Sequence, residues 1–185
     1  MKGLRFSTVG CAIAVLLLAI AAGGAQSKDP ASVAANKFVG MWQLVSFENG
    51  EQERAAAVGA HPTGLLVYDA SGLMSVQIMP DRTRHNFSGS VSLLFSGPQP
   101  SAAEALDAVT GYSAYFGTYS VNEREGTVTH HRQGNLYPGA IGEVVRRYTF
   151  VNDSRVSLVP VDNQNNRLVW ERVKGSTSLT PTGKR

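Results

Sequence analysis

The sequence predicts an all-β domain of eight short antiparallel strands with one inserted helix. Short segments rich in β-branched and aromatic residues recur between residues 42 and 173. Turn sequences such as Asn49-Gly50 and Asp69-Ala70-Ser71-Gly72 separate neighbouring segments. The chain of 185 residues is 43% hydrophobic, which suits one core rather than two domains. Because short turns join antiparallel neighbours, the eight strands form either a closed barrel or a sandwich.

The N-terminal residues 1–25 have the three parts of a secretory signal peptide. Lys2 and Arg5 form a basic start, residues 9–22 are almost entirely apolar, and Gly23-Gly24-Ala25 is a small-residue end. An uncleaved membrane anchor is the alternative, but the apolar run is shorter than the roughly 20 residues that span a bilayer. We therefore expect export to the periplasm or the medium, with no transmembrane segment in the mature chain.

The composition of the predicted mature chain excludes cysteine chemistry and argues against binding to nucleic acid. Cys11 is the only cysteine and lies within the predicted signal, so no disulfide, thiol nucleophile or thiolate metal ligand is expected afterwards. Removing Lys2 and Arg5 leaves 17 − 2 = 15 basic against 14 acidic residues, a net charge of +1. No run of Lys and Arg exceeds two residues, so nucleic acid is not an expected partner.

The predicted elements follow in order. The N-terminal lead, residues 26–37, contains most of a short helix over 29–38, with Asp29 as N-cap and Pro30 at its first position. The inserted helix covers 101–109, where Ser101 and Glu104 have capping-box spacing. The strands are expected at 42–48, 65–68, 73–79, 112–121, 127–132, 143–151, 155–161 and 167–173. The barrel domain is thus expected over 38–173, followed by a frayed tail at 174–185.

The opening of the first strand resembles the lipocalins. Gly40-Met41-Trp42 has the Gly-x-Trp pattern of that superfamily and follows the predicted helix. The resemblance implies that Trp42 closes the base of a barrel and that an arginine at the end of the last strand packs over it. Arg172 occupies the matching position in Trp170-Glu171-Arg172, and a guanidinium over an indole ring contributes roughly 0.5–2 kcal/mol.

Four further blocks resemble a lipocalin-like domain family found largely in bacteria and fungi. The resemblance covers about residues 38–173, and its blocks are Gly64-Leu65-Leu66-Val67-Tyr68, Gly72-Leu73-Met74-Ser75-Val76-Gln77, Tyr115-Phe116-Gly117-Thr118-Tyr119 and Gly126-Thr127-Val128-Thr129-His130. The family implies an eight-stranded antiparallel, calycin-type barrel and a small apolar ligand. It does not imply one chemistry.

His130 and His131 are neighbours on the predicted strand 127–132, so only one of them faces inward. Val128 shares a face with His130, whereas two threonines share the face of His131. The more apolar face predicts His130 in the interior, where an imidazole can move a proton or orient a polar ligand group. A core histidine hydrogen-bonded to a tyrosine is the alternative.

Arg146 and Arg147 pose the same choice on the strand 143–151. Val144, Tyr148 and Phe150 share the face of Arg146, which favours Arg146 inside. A buried guanidinium requires a carboxylate, from the protein or from a ligand. If no acidic residue faces the buried arginine, the ligand is expected to supply an anionic group. The alternative is that the arginine forms an ion pair at the surface.

Tyr115 and Tyr119 lie on one face of the strand 112–121. Both are candidates to line a ligand pocket, because tyrosine combines apolar area with a hydroxyl group, but core filling is the favoured explanation for them. The four histidines form no His-x-His or Glu-x-x-His element, so no metal and no cofactor are expected. No Gly-x-Ser-x-Gly sequence indicates a serine hydrolase.

Three functions compete on these observations. The favoured hypothesis is an exported barrel that binds a small, mostly apolar or amphipathic molecule, with His130, an arginine and a tyrosine at its polar end. The second is a metal-independent isomerase, cyclase or lyase in the same cavity, with His130 as acid or base. The third is a packed structural module of the cell envelope.

Overall fold

The computed structural model describes residues 33–49, 56–88 and 100–175. The predicted signal peptide, the Asp29 cap of the first helix and the end of the tail lie outside these residues. Two helices lie within the described ranges, α1 (Val33–Phe38) and α2 (Ala102–Thr110), and residues 56–58 are also helical. The strands are β1 (Gly40–Asn49), β2 (Thr63–Tyr68), β3 (Leu73–Met79), β4 (Ser113–Asn122), β5 (Thr127–Asn135), β6 (Gly142–Asn152), β7 (Arg155–Pro160) and β8 (Asn166–Arg172).

The eight strands form one closed antiparallel barrel in sequence order. Each strand pairs with its sequence neighbours, and β1 closes the barrel by pairing with β8 over Trp42↔Arg172 to Asn49↔Asn166. The predicted eight-stranded antiparallel barrel, with a short helix before it and one inserted helix, is therefore confirmed. The sandwich alternative is wrong, because β1 and β8 are hydrogen-bonded to each other and leave no sheet edge.

The alternation of side chains along each strand separates an apolar interior from the outer surface. On β3, for example, Met74 and Val76 are buried, whereas Leu73 and Met79 are exposed. The buried apolar core is Phe38, Trp42, Leu44, Leu66, Tyr68, Met74, Val76, Val128, Val156, Leu158, Leu168 and Trp170. The barrel interior is thus the single core of the domain.

Helix α1 closes one end of the barrel. The ring of Phe38 is fully buried, and its centroid lies 5.1 Å from those of Tyr68, Tyr148 and Phe150. The indole Nε1 of Trp42 donates a hydrogen bond of 2.8 Å to the Phe38 carbonyl, which ties the end of the helix to β1. This end is referred to below as the base.

Arg172 fastens the base from the last strand. Its guanidinium carbon lies 4.2 Å from the centre of the Trp42 ring. The same guanidinium donates hydrogen bonds of 2.6 Å to the carbonyls of Val39 and Lys37. Gly40 enters β1 with a φ of 133°, a conformation that side chains rarely tolerate. The first and last strands are therefore joined through the chain that leads into the barrel.

The connection from β3 to β4 lies at the opposite end, because β3 runs parallel to β1 and away from the base. It contains α2, whose capping box is confirmed: the Ser101 hydroxyl accepts from the Glu104 N–H, and the Glu104 carboxylate accepts from the Ser101 N–H. An apolar cavity of about 210 Å³ lies at this end, between Phe47 and Ile78 of the barrel and Thr110 beside α2's end. This end is referred to below as the mouth.

Strand β5 extends to Asn135 instead of ending at Arg132 as predicted. The pairing shifts by one residue between Phe116 and Gly117 and then continues to Tyr115↔Asn135. Gly134 permits this, because a Cβ atom there would lie 2.3 Å from the Phe116 ring. Arg132 therefore lies within a strand that lines the barrel. No helix in the described ranges is long and apolar enough to cross a membrane.

Candidate ligand site in the barrel interior

His130 lies inside the barrel, between two tyrosine hydroxyl groups. Its side chain faces inward from β5 and the residue is 1% exposed. Nε2 lies 2.6 Å from the Tyr68 hydroxyl oxygen, and Nδ1 lies 2.8 Å from the Tyr115 hydroxyl oxygen. Both ring nitrogens are thus hydrogen-bonded, and β2, β4 and β5 are linked through one imidazole.

The imidazole of His130 is neutral. Burial lowers the pKa of His130 well below its usual range, and the nearby positive charge of Arg146 lowers it further. Nη1 of Arg146 lies 3.5 Å from Nδ1, and a guanidinium can only donate. A neutral ring has one N–H, so one of its nitrogens donates to a tyrosine hydroxyl oxygen and the other accepts a hydrogen bond.

Arg146 faces inward beside this cluster and is half-buried. Its backbone pairs with Val128 and Pro160, whose strands β5 and β7 flank β6. Across the described residues, no carboxylate forms a salt bridge with Arg146. Arg147 is exposed on the outer face of the same strand and does not join the cluster.

Arg132 is a second arginine on the inward face of β5; it is half-buried and was not predicted as a site residue. It lies two residues beyond His130 on the same face of β5, closer to the mouth. Its charge lowers the pKa of His130 and opposes the burial that raises the pKa of Tyr115. Its Nε donates a hydrogen bond of 3.3 Å to the carbonyl of Gly142. Extending the alternation of Val128 and His130 by one step would have indicated it.

The tyrosines around His130 have different roles. Burial raises the pKa of Tyr68 and of Tyr115, so both hydroxyl groups remain protonated at neutral pH. The ring of Tyr119 packs on Tyr68 with centroids 4.7 Å apart, but its hydroxyl donates to the Asp69 carbonyl at 3.0 Å. The structure therefore brings together Tyr115, His130 and Arg146 of the predicted residues and adds Tyr68, whereas the Tyr119 hydroxyl belongs to the base.

His131 forms a separate cluster on the outer face. Its Nε2 lies 3.0 Å from the Ser120 hydroxyl oxygen, and its Nδ1 lies 3.0 Å from a carboxylate oxygen of Glu143. This is the order of nucleophile, base and acid in serine hydrolases. However, the Glu143 side chain is 65% exposed, and acyl transfer needs oriented donors in a site that excludes water. The cluster is a polar surface ladder across β4, β5 and β6.

Among the residues that the structure describes, the interior also holds one buried donor without an acceptor. The Nε1 atom of Trp170 is buried, and no described residue accepts its hydrogen. In the described part of the chain, no group of three or more His, Cys, Asp and Glu residues is arranged to hold a metal ion.

Comparisons with known proteins bear on the fold. Curated proteins give no match to this sequence. Among solved structures, the chain is similar to a redesigned β-barrel, with 12% identity, a TM-score of 0.39, and coverage of 76% of this chain and 96% of that one. The model of the lipocalin-like domain family matches residues 39–173, from the residue before β1 to the residue after β8. The protein therefore belongs to the lipocalin-like domain family.

Proposed function

We propose that the protein is exported and binds a small, mostly apolar or amphipathic molecule inside its barrel. The observation that carries this proposal is the polar cluster of Tyr68, Tyr115, His130 and Arg146 within an otherwise apolar interior. A few convergent polar groups on apolar walls are the usual composition of small-molecule sites. The barrel of this family is of a general type that binds ligands.

The difference between the two ends of the barrel supports an internal site over a filled core. At the base, Phe38 and Trp42 are fully buried and the chain is fastened by Arg172. Toward the mouth, Phe47, Ile78 and Tyr115 face inward but are only half-buried. Solvent therefore reaches the inner wall from the side of the 210 Å³ cavity. A guest that enters there would meet apolar walls first and the polar cluster deeper inside.

Binding is favoured over catalysis by the state of His130. A general base needs a ring nitrogen within hydrogen-bond reach of the proton that it abstracts. Both ring nitrogens of His130 already contact tyrosine hydroxyl groups at 2.6 and 2.8 Å. The His130 ring therefore has its hydrogen bonds already formed, and the cluster is a fixed set of polar groups that a ligand can contact.

Export rests on the sequence of residues 1–25, and the intact mass of the purified protein tests it. The chain is expressed with its own N-terminus in a bacterial host, and the exported fraction is collected. A mass lower by the first 25 or so residues supports export. A full-length mass in the cell fraction alone contradicts it.

Ligand binding is tested on the exported protein with a neutral fluorescent probe, N-phenyl-1-naphthylamine, and by native mass spectrometry. Two tryptophan variants on one strand form a matched pair. Ile78→Trp fills the inner side of the mouth, and Gln77→Trp adds the same bulk on the outer face. We expect wild type and Gln77→Trp to bind the probe, and Ile78→Trp to bind it at least about tenfold more weakly. Absence of both probe binding and a co-purifying molecule, or equal loss in the two variants, contradicts an internal site.

A further inference from the structure

We infer that the molecule bound in the barrel is an acid, and that its carboxylate or comparable oxyanion is held by Arg146 and Arg132. This inference rests on the proposed function, since it assigns the chemistry of the polar end of the guest. It comes from two half-buried arginines on the inward faces of the neighbouring strands β5 and β6.

The interior site carries a positive charge that the described residues do not neutralise. Tyr68, Tyr115 and His130 are uncharged at neutral pH, for the reasons given above. The carboxylates with hydrogen-bond or ion-pair partners in the described ranges have those partners elsewhere. Glu48 pairs with Arg167, Glu143 with His131, Asp153 with Lys37, and Glu171 with Arg155. Asp69, Asp81 and Glu123 accept from backbone N–H groups, and Glu104 and Asp107 bind around α2.

Each of the two guanidinium groups retains donors for a guest. A guanidinium has five N–H donors. Among the described residues, Arg146 uses one in a contact of 3.5 Å with His130, at the long limit of a hydrogen bond. Arg132 uses its Nε toward the Gly142 carbonyl. Their remaining N–H groups are free to form the charge-assisted, two-pronged contacts that arginine makes with carboxylates.

The two arginines lie at different depths, one on each side of His130 along the barrel. Arg146 pairs across the ladder with Val128, and Arg132 lies four residues further toward the mouth, about 13 Å along the strand. Nη1 of Arg146 lies 3.5 Å from Nδ1 of His130, which in turn contacts the Tyr115 hydroxyl oxygen. The head group is thus placed beside the Tyr115 hydroxyl, and the apolar remainder contacts walls such as Phe47 and Ile78.

Binding such a guest also offsets the free-energy cost of a partly desolvated guanidinium. Removing a charge from water is costly unless an opposite charge replaces the lost hydration. An acid with an apolar chain supplies this counter-charge and simultaneously buries its own hydrocarbon. A neutral alcohol of the same shape supplies only the second of these gains. The difference between acid and alcohol therefore isolates the role of the arginines.

The test compares two probes on the exported, purified protein: a long-chain conjugated polyene carboxylic acid, which is fluorescent, and the primary alcohol with the same chain. Binding is measured by fluorescence at neutral pH for wild type, Arg146→Met, Arg132→Met and Arg147→Met. Met keeps the length of the stem without the charge, and Arg147 is the outward-facing control on the strand of Arg146. We expect wild type to bind the acid at least about tenfold more tightly than the alcohol. Arg146→Met and Arg132→Met should each reduce this ratio while still binding the alcohol, and Arg147→Met should retain it.

The outcomes separate the two proposals. If wild type binds acid and alcohol equally, or if both inward variants keep the full preference, the inference of an acidic ligand is overturned while internal binding stands. If wild type binds neither probe, and also fails with the neutral naphthylamine, the proposed function itself is overturned. Should Arg146→Met not fold, Arg146→Lys keeps the charge but loses the planar fork. A preference for the acid that is unchanged in Arg146→Lys and in Arg132→Met would then contradict the inference.

Discussion

The hydroxyl oxygen of Tyr68 lies 2.6 Å from Nε2 of His130, although 62 residues separate the two in sequence. Tyr68 is on β2 and His130 is on β5, strands that are not neighbours in the barrel. The contact therefore crosses the interior. It gives one ring nitrogen of a neutral, buried imidazole its hydrogen-bond partner. The stability of the core and the polarity of the proposed ligand site both depend on this pair.

Replacing Tyr68 by Phe should destabilise the protein by about 1–3 kcal/mol, because Nε2 of His130 would lose its hydrogen-bond partner in a buried position. Tyr119→Phe is the control, since the Tyr119 hydroxyl reaches the Asp69 carbonyl at a more exposed position. Urea unfolding followed by tryptophan fluorescence measures both variants. A loss for Tyr68→Phe no larger than that for Tyr119→Phe would show that the internal hydrogen bond contributes little.

The stability of the protein should fall as pH decreases below about 6.5, the pKa of an unfolded histidine. The folded pKa of His130 is lower than this, so the unfolded chain binds more protons in the range between the two values. The contribution of neutral His130 to the free energy of unfolding is fully present above that range. It is lost as pH falls toward the folded pKa.

Unfolding free energies measured between pH 7 and pH 5 test this for wild type and for His130→Gln. The variant should show a flatter pH dependence than wild type, because the buried titrating group is gone. Identical slopes in the two proteins would mean that His130 does not titrate with unfolding in this range.

Arg172→Met should lower the free energy of unfolding by about 2 kcal/mol, from the lost contact with the Trp42 ring and the lost charge-assisted hydrogen bonds. The matched control is Arg167→Met on the same strand, where a surface pair with Glu48 at 3.9 Å should contribute under about 1 kcal/mol. Chemical denaturation measures both. Equal effects of the two substitutions would show that the contact of Arg172 with Trp42 stabilises the protein no more than a surface ion pair does.

Asp107→Asn should release the segment 82–88 from α2 without weakening the barrel. The Asp107 carboxylate accepts from the His85 backbone N–H at 2.8 Å and pairs with Arg82. These hydrogen bonds lower the pKa of Asp107 to about 2, so its contribution is present above the usual 3.8 and is lost as pH falls toward 2. Hydrogen exchange at neutral pH should accelerate in 82–88 and remain unchanged in β5. Unchanged exchange in both would show that other contacts hold the segment.

Much of the fold could be predicted because its signals are local. The capping box of Ser101 and Glu104 needs only three residues of spacing, and it occurs as predicted. Strand alternation favoured His130 over His131, and Arg146 over Arg147, for the interior. That reasoning needed only the apolar neighbours two residues away on the same strand. The family resemblance supplied the barrel, which the strand pattern had left open against a sandwich.

The composition of the site was less accessible, because its members meet only across the barrel. Tyr68 was part of a family block and Arg132 was assigned to the end of a strand, so neither was considered for the interior. The continuation of β5 past Arg132 depends on Gly134 accommodating the ring of Phe116 from the neighbouring strand. Nothing in the sequence of β5 by itself indicates that contact.

The sequence by itself therefore determined the order of the strands, the cap of α2 and the inward direction of His130 and Arg146, because these depend on period and near neighbours. The tertiary structure decided which inward side chains touch. Closure of β1 onto β8 and the shift of pairing at Phe116 set the depth of each strand, and hence bring Tyr68, Tyr115 and Arg146 around one imidazole. Such contacts depend on the registers of all eight strands together, which no single stretch of sequence contains.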